Sequence, residues 1–160
     1  MMGFDLTVMS IISFIVTSSL LVVYSIMDIR NRKVRNEFVI LGTSIGCVAL
    51  ILTEHFVYNT ILHLTALLMI LPISYLLFRI GSIGGGDVKI LITVALLSPG
   101  IELGTWNQPI FEAIIGLGGE LVVMLLGGYL YWRVKNKEKT PPLIPILLIG
   151  YFIVQLFALF

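Results

Sequence analysis

Residues 60–78 read TILHLTALLMILPISYLLF and run directly into Arg79. This stretch decides the fold. Its only titratable side chains are His63 and Tyr75, and its length approaches the ~20 residues that a helix needs to cross a bilayer core. Lipid offers the backbone no hydrogen bonds, so a spanning segment must satisfy its own N–H and C=O groups, which a helix does. Outward from it lie five more apolar stretches: Leu6–Met27, Phe38–Thr53, Val88–Leu103, Ile110–Trp132 and Leu143–Phe160. The second and fourth spans in chain order are short. The strand-length alternation of a β-barrel is absent. The expectation is an all-α membrane protein, a bundle of six transmembrane helices in one domain over residues 1–160.

Composition agrees. The chain has 160 residues, of which 58% are hydrophobic and 12% charged. Soluble domains carry about 25% charged residues. A globule this small could not hide the excess apolar surface.

The ten basic residues set the orientation. Arg30, Arg32, Lys33 and Arg35 follow the first span. Arg79 and Lys89 flank the third loop, and Arg133, Lys135, Lys137 and Lys139 lie between the fifth and sixth spans. With six spans these loops share one side, and the opposite loops have no Lys or Arg. The positive-inside rule makes that side cytoplasmic and puts both termini outside. The first span, with its positive charge behind it, reads as an N-out anchor rather than a cleaved signal. The basic loops suit anionic lipid headgroups, not nucleic acid. Cys47, the single cysteine, reads as a packing residue.

Small residues mark close helix packing. Gly42 and Gly46 form a GxxxG pair, and Gly116, Gly118, Gly119, Gly127 and Gly128 line the fifth span. Pro72, Pro99 and Pro145 are expected to kink or cut their helices, with Pro99-Gly100 ending the fourth one early.

Charges at membrane depth carry the functional signal. Asp5, Glu54 and Glu102 are expected to be solvated at the outer interface, Glu37 and Glu138 to sit among the basic loops, and Glu112 to be interfacial. His55 sits in an outer loop and needs no special account. Glu120 lies mid-span and is expected to bond a neighbouring helix, with His63 as a candidate partner. Asp28 ends the first span, with Ser18, Tyr24 and Ser25 on the same helical face. Taken alone it pairs with Arg30 or Arg32 at the headgroups. Asp87 changes that reading, because it follows Gly84-Gly85-Gly86 at the start of a helix. The glycines are expected to form a tightly bent or mobile loop whose open backbone edge receives an extended substrate.

Two carboxylates brought close together on one face share a proton. One activates water while the other donates to a scissile carbonyl. This route hydrolyses a peptide with no metal or cofactor. Helix dipoles suggest Asp28, at a helix C-terminus, as the acid and Asp87, at an N-terminus, as the base.

The segment Gly84-Gly85-Gly86-Asp87-Val88-Lys89 resembles the GxGD-x-K motif of the type IV prepilin and archaeal preflagellin peptidases. The run from Asp28 through Arg30 to Asn36 resembles that family's second signature, Asp-x-Arg ending in Pro-Asn. Thr140-Pro141-Pro142-Leu143 before the final span also looks similar. The resemblance implies a catalytic pair, Asp28 and Asp87, facing the cytoplasm at the plasma membrane. It implies Gly84, Gly85, Gly86, Lys89, Arg30 and Asn36 as site-loop or substrate-binding residues. It implies pilin-like or archaellin precursors as partners, each with a short basic leader before a hydrophobic helix. Arg35 stands where the family has proline. The paired CxxC motifs of the larger members' methylase domain are absent, so the chain resembles the compact form. Two other readings stand beside this one. A small proton-coupled transporter would use Asp28, Asp87 and Glu120. A non-catalytic assembly scaffold would use none of them.

Overall fold

The computed structural model describes residues 3–4, 7–105, 108–135 and 141–157. The readings of Asp5, Leu6, Lys137, Glu138, Lys139 and Thr140, and of the last three residues, lie outside them. The helices are α1 (Val8–Asn31), α2 (Asn36–Leu52), α3 (His55–Tyr58), α4 (Thr60–Ile80), α5 (Gly85–Leu97), α6 (Pro109–Val134) and α7 (Leu143–Leu156). The only strands among the described residues are β1 (Gly3–Phe4) and β2 (Gly104–Thr105), which pair antiparallel.

The six longer helices close into a ring in the order α1–α2–α5–α4–α6–α7, back to α1. Their inner faces meet in one apolar core that includes Leu21, Tyr24, Ile70, Ile90, Leu91, Val94, Leu117, Met124, Leu147 and Tyr151. The outer faces are apolar too: Ile15, Ile40, Ile45, Leu68 and Leu126 are all exposed. Lipid covers such a surface, and the chain is a multi-pass membrane protein. Three helices, α1, α4 and α6, are long and apolar enough to span by themselves. The other expected spans are shorter, with 17 residues in α2, 13 in α5 and 14 in α7. At 1.5 Å per residue those reach only about 20–26 Å, short of a ~30 Å hydrocarbon core.

The fourth expected span shows why. Its helix stops at Leu97, before Pro99-Gly100, and the chain runs on through Ser98–Glu102 without helix and fully buried. Irregular backbone survives at such depth only if protein satisfies it. Here Ser13 Oγ donates to Leu97 O at 2.7 Å, Gln155 Nε2 donates to Gly100 O at 3.1 Å, and Ile101 N donates to Glu112 Oε1 at 3.1 Å. Pro145, expected to kink or cut its helix, instead falls in the first turn of α7, where no i−4 carbonyl is lost. Pro72 lies inside α4.

The close-packing glycines work within the chain. A Cβ on Gly42 would strike the Tyr24 hydroxyl and Leu20, and one on Gly46 would strike Leu97, so α2 lies tight against α1 and α5. Gly127 and Gly128 do the same for α6 against Ile146 and Leu143 of α7.

Candidate active site

The C-terminal end of α1, the α4–α5 turn and the start of α7 meet around one cavity of about 490 Å³. Its acidic side chains are Asp28 and Asp87. It is completed by Arg32, Lys33, Val34, Asn36, Gly81, Ser82, Ile83, Gly84, Gly86, Pro141, Leu143 and Ile144. Loops far apart in sequence therefore converge on one end of the bundle, as the distribution of basic residues required.

Asp28 reaches the cavity on the inward stripe of α1, below Thr17, Leu21, Tyr24 and Ser25, and is 8% exposed. One turn on, Arg32 takes the left-handed conformation (φ 53°) and its N–H closes on Asp28 O at 2.9 Å, which stops the helix. The Asp28 carboxylate faces a second helix end: Oδ2 accepts from Ile144 N, in the first turn of α7, at 3.4 Å. Helix N-termini leave such N–H groups without partners, and an acidic side chain suits them.

Asp87 is held differently. Gly81 ends α4 with φ 81°, and the N–H groups of Gly81 and Ser82 return to Phe78 O and Leu77 O. Only glycine takes that conformation at no cost. The chain then turns into α5, whose N-cap is Gly84. Asp87, in the first turn, reaches back so that its Oδ2 accepts from Gly84 N at 2.8 Å. A Cβ on Gly84 would approach that same oxygen to 3.1 Å, while one on Gly86 would meet nothing. The glycine run is therefore not the bent loop expected. Gly84 is extended, and Gly85 and Gly86 are already helical. Asp87 precedes the apolar run that starts at Val88. Withdrawal from water pushes its carboxyl above the ordinary carboxylate range; the Gly84 N–H opposes this and the charge on Asp28 adds to it.

The dipole argument fails here. Both carboxylates touch the N-terminal turn of a helix, α7 for Asp28 and α5 for Asp87, so helix ends do not divide acid from base.

The remaining expected site residues separate. Gly84 and Gly86 line the cavity and Gly85 does not. Arg30 is exposed and outside it; Arg32 and Lys33 are the basic residues on its wall. Lys89 borders a neighbouring groove between α2 and α5, and its Nζ donates to Asn36 Oδ1 at 2.6 Å. Asn36 belongs to both spaces. Arg35 caps α2 with φ −70°, within the range a proline ring imposes, and pairs with Glu37 at 2.6 Å. The shape of the turn is thus kept without proline. Sequence reasoning missed Ser82, Ile83 and Ile144. The Pro141-Pro142 step before α7 was the one available signal that this helix start belongs to the site.

The model of the type IV leader peptidase family matches residues 15–159. The chain belongs to that family. The match takes in α1 from its second turn onward and every residue lining the cavity. No curated protein and no solved structure matches the chain. The chain is thus a membrane protease, and Asp28 and Asp87 form the acidic wall of a cavity at one end of its bundle.

The far end of the bundle departs from expectation. Glu102 and Glu112, expected near water, are buried at 5% and 8% exposure, and His55, expected in an outer loop, is fully buried. Glu120 does not bond His63; neither of its oxygens has a partner among the described residues. The Nε2 of His63 instead faces His55 Nδ1 at 3.0 Å.

Proposed function

We propose that this chain is an aspartic-type endopeptidase in which Asp28 and Asp87 cut the short basic leader from pilin-like or archaellin precursors. The observation that carries the reading is the pairing of these two acidic side chains, 59 positions apart in sequence, in one cavity. In the reaction, the ionised carboxylate takes a proton from water as the oxygen attacks the scissile carbonyl. The protonated partner gives its proton to that carbonyl; as the C–N bond breaks, the proton taken from water passes to the leaving amine and a hydroxyl proton of the tetrahedral intermediate returns to the partner carboxylate. The pair titrates as a unit, so neither residue is assigned one fixed role.

The cavity suits a chain that reaches it from the membrane surface. Gly86 leaves its wall open, and Ser82 and Ile83 line it beside the two acidic side chains. The scissile bond lies just ahead of the precursor's hydrophobic helix, which remains in lipid. The run of Arg and Lys at this end supports a cytoplasmic site under the positive-inside rule. Co-expression of a leader-bearing pilin or archaellin precursor with the chain tests the proposal. A precursor shortened by its leader only when the chain is present is the expected result; a precursor of unchanged mass contradicts it.

A further inference from the structure

At the other end of the bundle a second cavity, of about 440 Å³, is lined by residues that include Thr7, Ser10, Tyr58, Asn59, Glu102 and Glu112. Ser10 and Asp28 lie on the same helix, about 27 Å apart along its axis at 1.5 Å per residue. The two cavities are therefore distinct.

Behind this second cavity lies a chain of ionisable groups. Glu102 Oε2 and His55 Nε2 are 3.0 Å apart, and His55 Nδ1 and His63 Nε2 are also 3.0 Å apart. With both rings neutral and Glu102 ionised, His63 donates to His55 and His55 donates to Glu102. That leaves Glu102 Oε1 buried with no partner among the described residues, as are both oxygens of Glu120 and the Oε1 of Gln155. Glu120 is 1% exposed and interacts electrostatically with Glu102 and with Tyr151, whose hydroxyl shares a hydrogen bond with Ser98 at 3.0 Å. Glu112 also feels Glu102 and His55, while its Oε1 is already taken by Ile101 N.

The imbalance has a direction. Carboxylates and amide oxygens only accept, and all four of these buried oxygens lack a donor. The Lys and Arg residues of the described chain cluster at the opposite end. No group of three His, Cys, Asp or Glu side chains among the described residues is arranged to hold a metal ion. What such a cluster lacks is positive charge carrying a hydrogen-bond donor, and a proton supplies both.

We infer that Glu102 and Glu120, backed by the His55–His63 pair, form a proton-binding site entered from the cavity opposite Asp28 and Asp87. A proton arriving at Glu102 stays on the carboxylates, on Glu102 or on Glu120, because the facing ring nitrogens, His55 Nε2 and His63 Nε2, already carry hydrogens. This inference does not depend on the proposed peptidase chemistry.

Infrared difference spectroscopy of the purified protein in detergent, between mildly acidic and mildly alkaline buffer, reads the site directly. The wild type is expected to show a protonated-carboxyl C=O band that changes with pH. Glu120→Gln should remove or clearly reduce it. Glu102→Gln, whose amide oxygen still accepts from His55, should shift it and keeps the test open if the first variant misfolds. A band unchanged in both variants overturns the site. A band erased by sodium or calcium at constant pH overturns the proton as its ligand in favour of a metal cation. Leader cleavage by both variants should stay at the wild-type level.

Discussion

The carboxylate of Asp28, in the last turns of α1, accepts a hydrogen bond at 3.4 Å from the backbone N–H of Ile144 in the first turn of α7. The contact joins helix ends 116 positions apart in sequence. Asp28 therefore has a structural task beside its proposed chemical one: it serves a helix whose own N-cap, Pro142, has no side-chain acceptor.

Those two tasks can be separated. Asp28→Asn keeps an oxygen for the Ile144 N–H and should fold as the wild type does, with cleavage lost. Asp28→Ala removes the acceptor as well and should cost about 0.5–1.5 kcal/mol, typical for losing a helix cap or one hydrogen bond. Thermal unfolding in detergent, alongside precursor cleavage, checks this. Equal stability of the two variants would remove the capping role.

Asp87 should report on its neighbour. The Asp28 charge is one of the causes that raise its carboxyl. Removing that charge in Asp28→Asn should move the Asp87 titration to lower pH, toward the ordinary carboxylate range, while burial keeps it above that range. Carboxyl NMR or infrared titration of Asp87 in the two proteins measures the change. A titration that stays put would mean the two side chains do not sense each other.

Two glycines should respond in opposite directions. Gly42→Leu drives side-chain atoms into the Tyr24 hydroxyl and Leu20, an overpacking that should cost about 1–3 kcal/mol. Gly118→Ala places its methyl in open space within a helix and should stabilise by roughly 0.5–1 kcal/mol. Chemical or thermal unfolding of both variants decides the matter. Gly86→Ala also meets no atom, so it should leave stability unharmed and lower cleavage by narrowing the cavity wall.

What could be read from the sequence divides by how local its cause is. The long apolar runs gave α1, α4 and α6 directly, because a span is a property of consecutive residues. Pro99-Gly100 announced the early end of α5. Asp28 and Asp87 stood out because each interrupts the boundary of an apolar run. The partners of these residues were hidden. Ile144 contributes a backbone N–H, which no side chain advertises. Glu102 and His55 were misplaced because they lie near an outer turn in sequence, yet the buried Ser98–Glu102 segment carries Glu102 inward beneath α3. Glycine spacing suggested a loop at 84–86, whereas the Asp87 cap draws Gly85 and Gly86 into the helix.

The central claim is that Asp28 and Asp87 share the work of hydrolysis. Its most direct test is a purified assay in detergent, in which wild type, Asp28→Asn and Asp87→Asn act on the same precursor and mass spectrometry follows release of the leader. The account predicts cleavage by the wild type alone, with both variants folded. Release of the leader at the wild-type rate by either folded variant would contradict it.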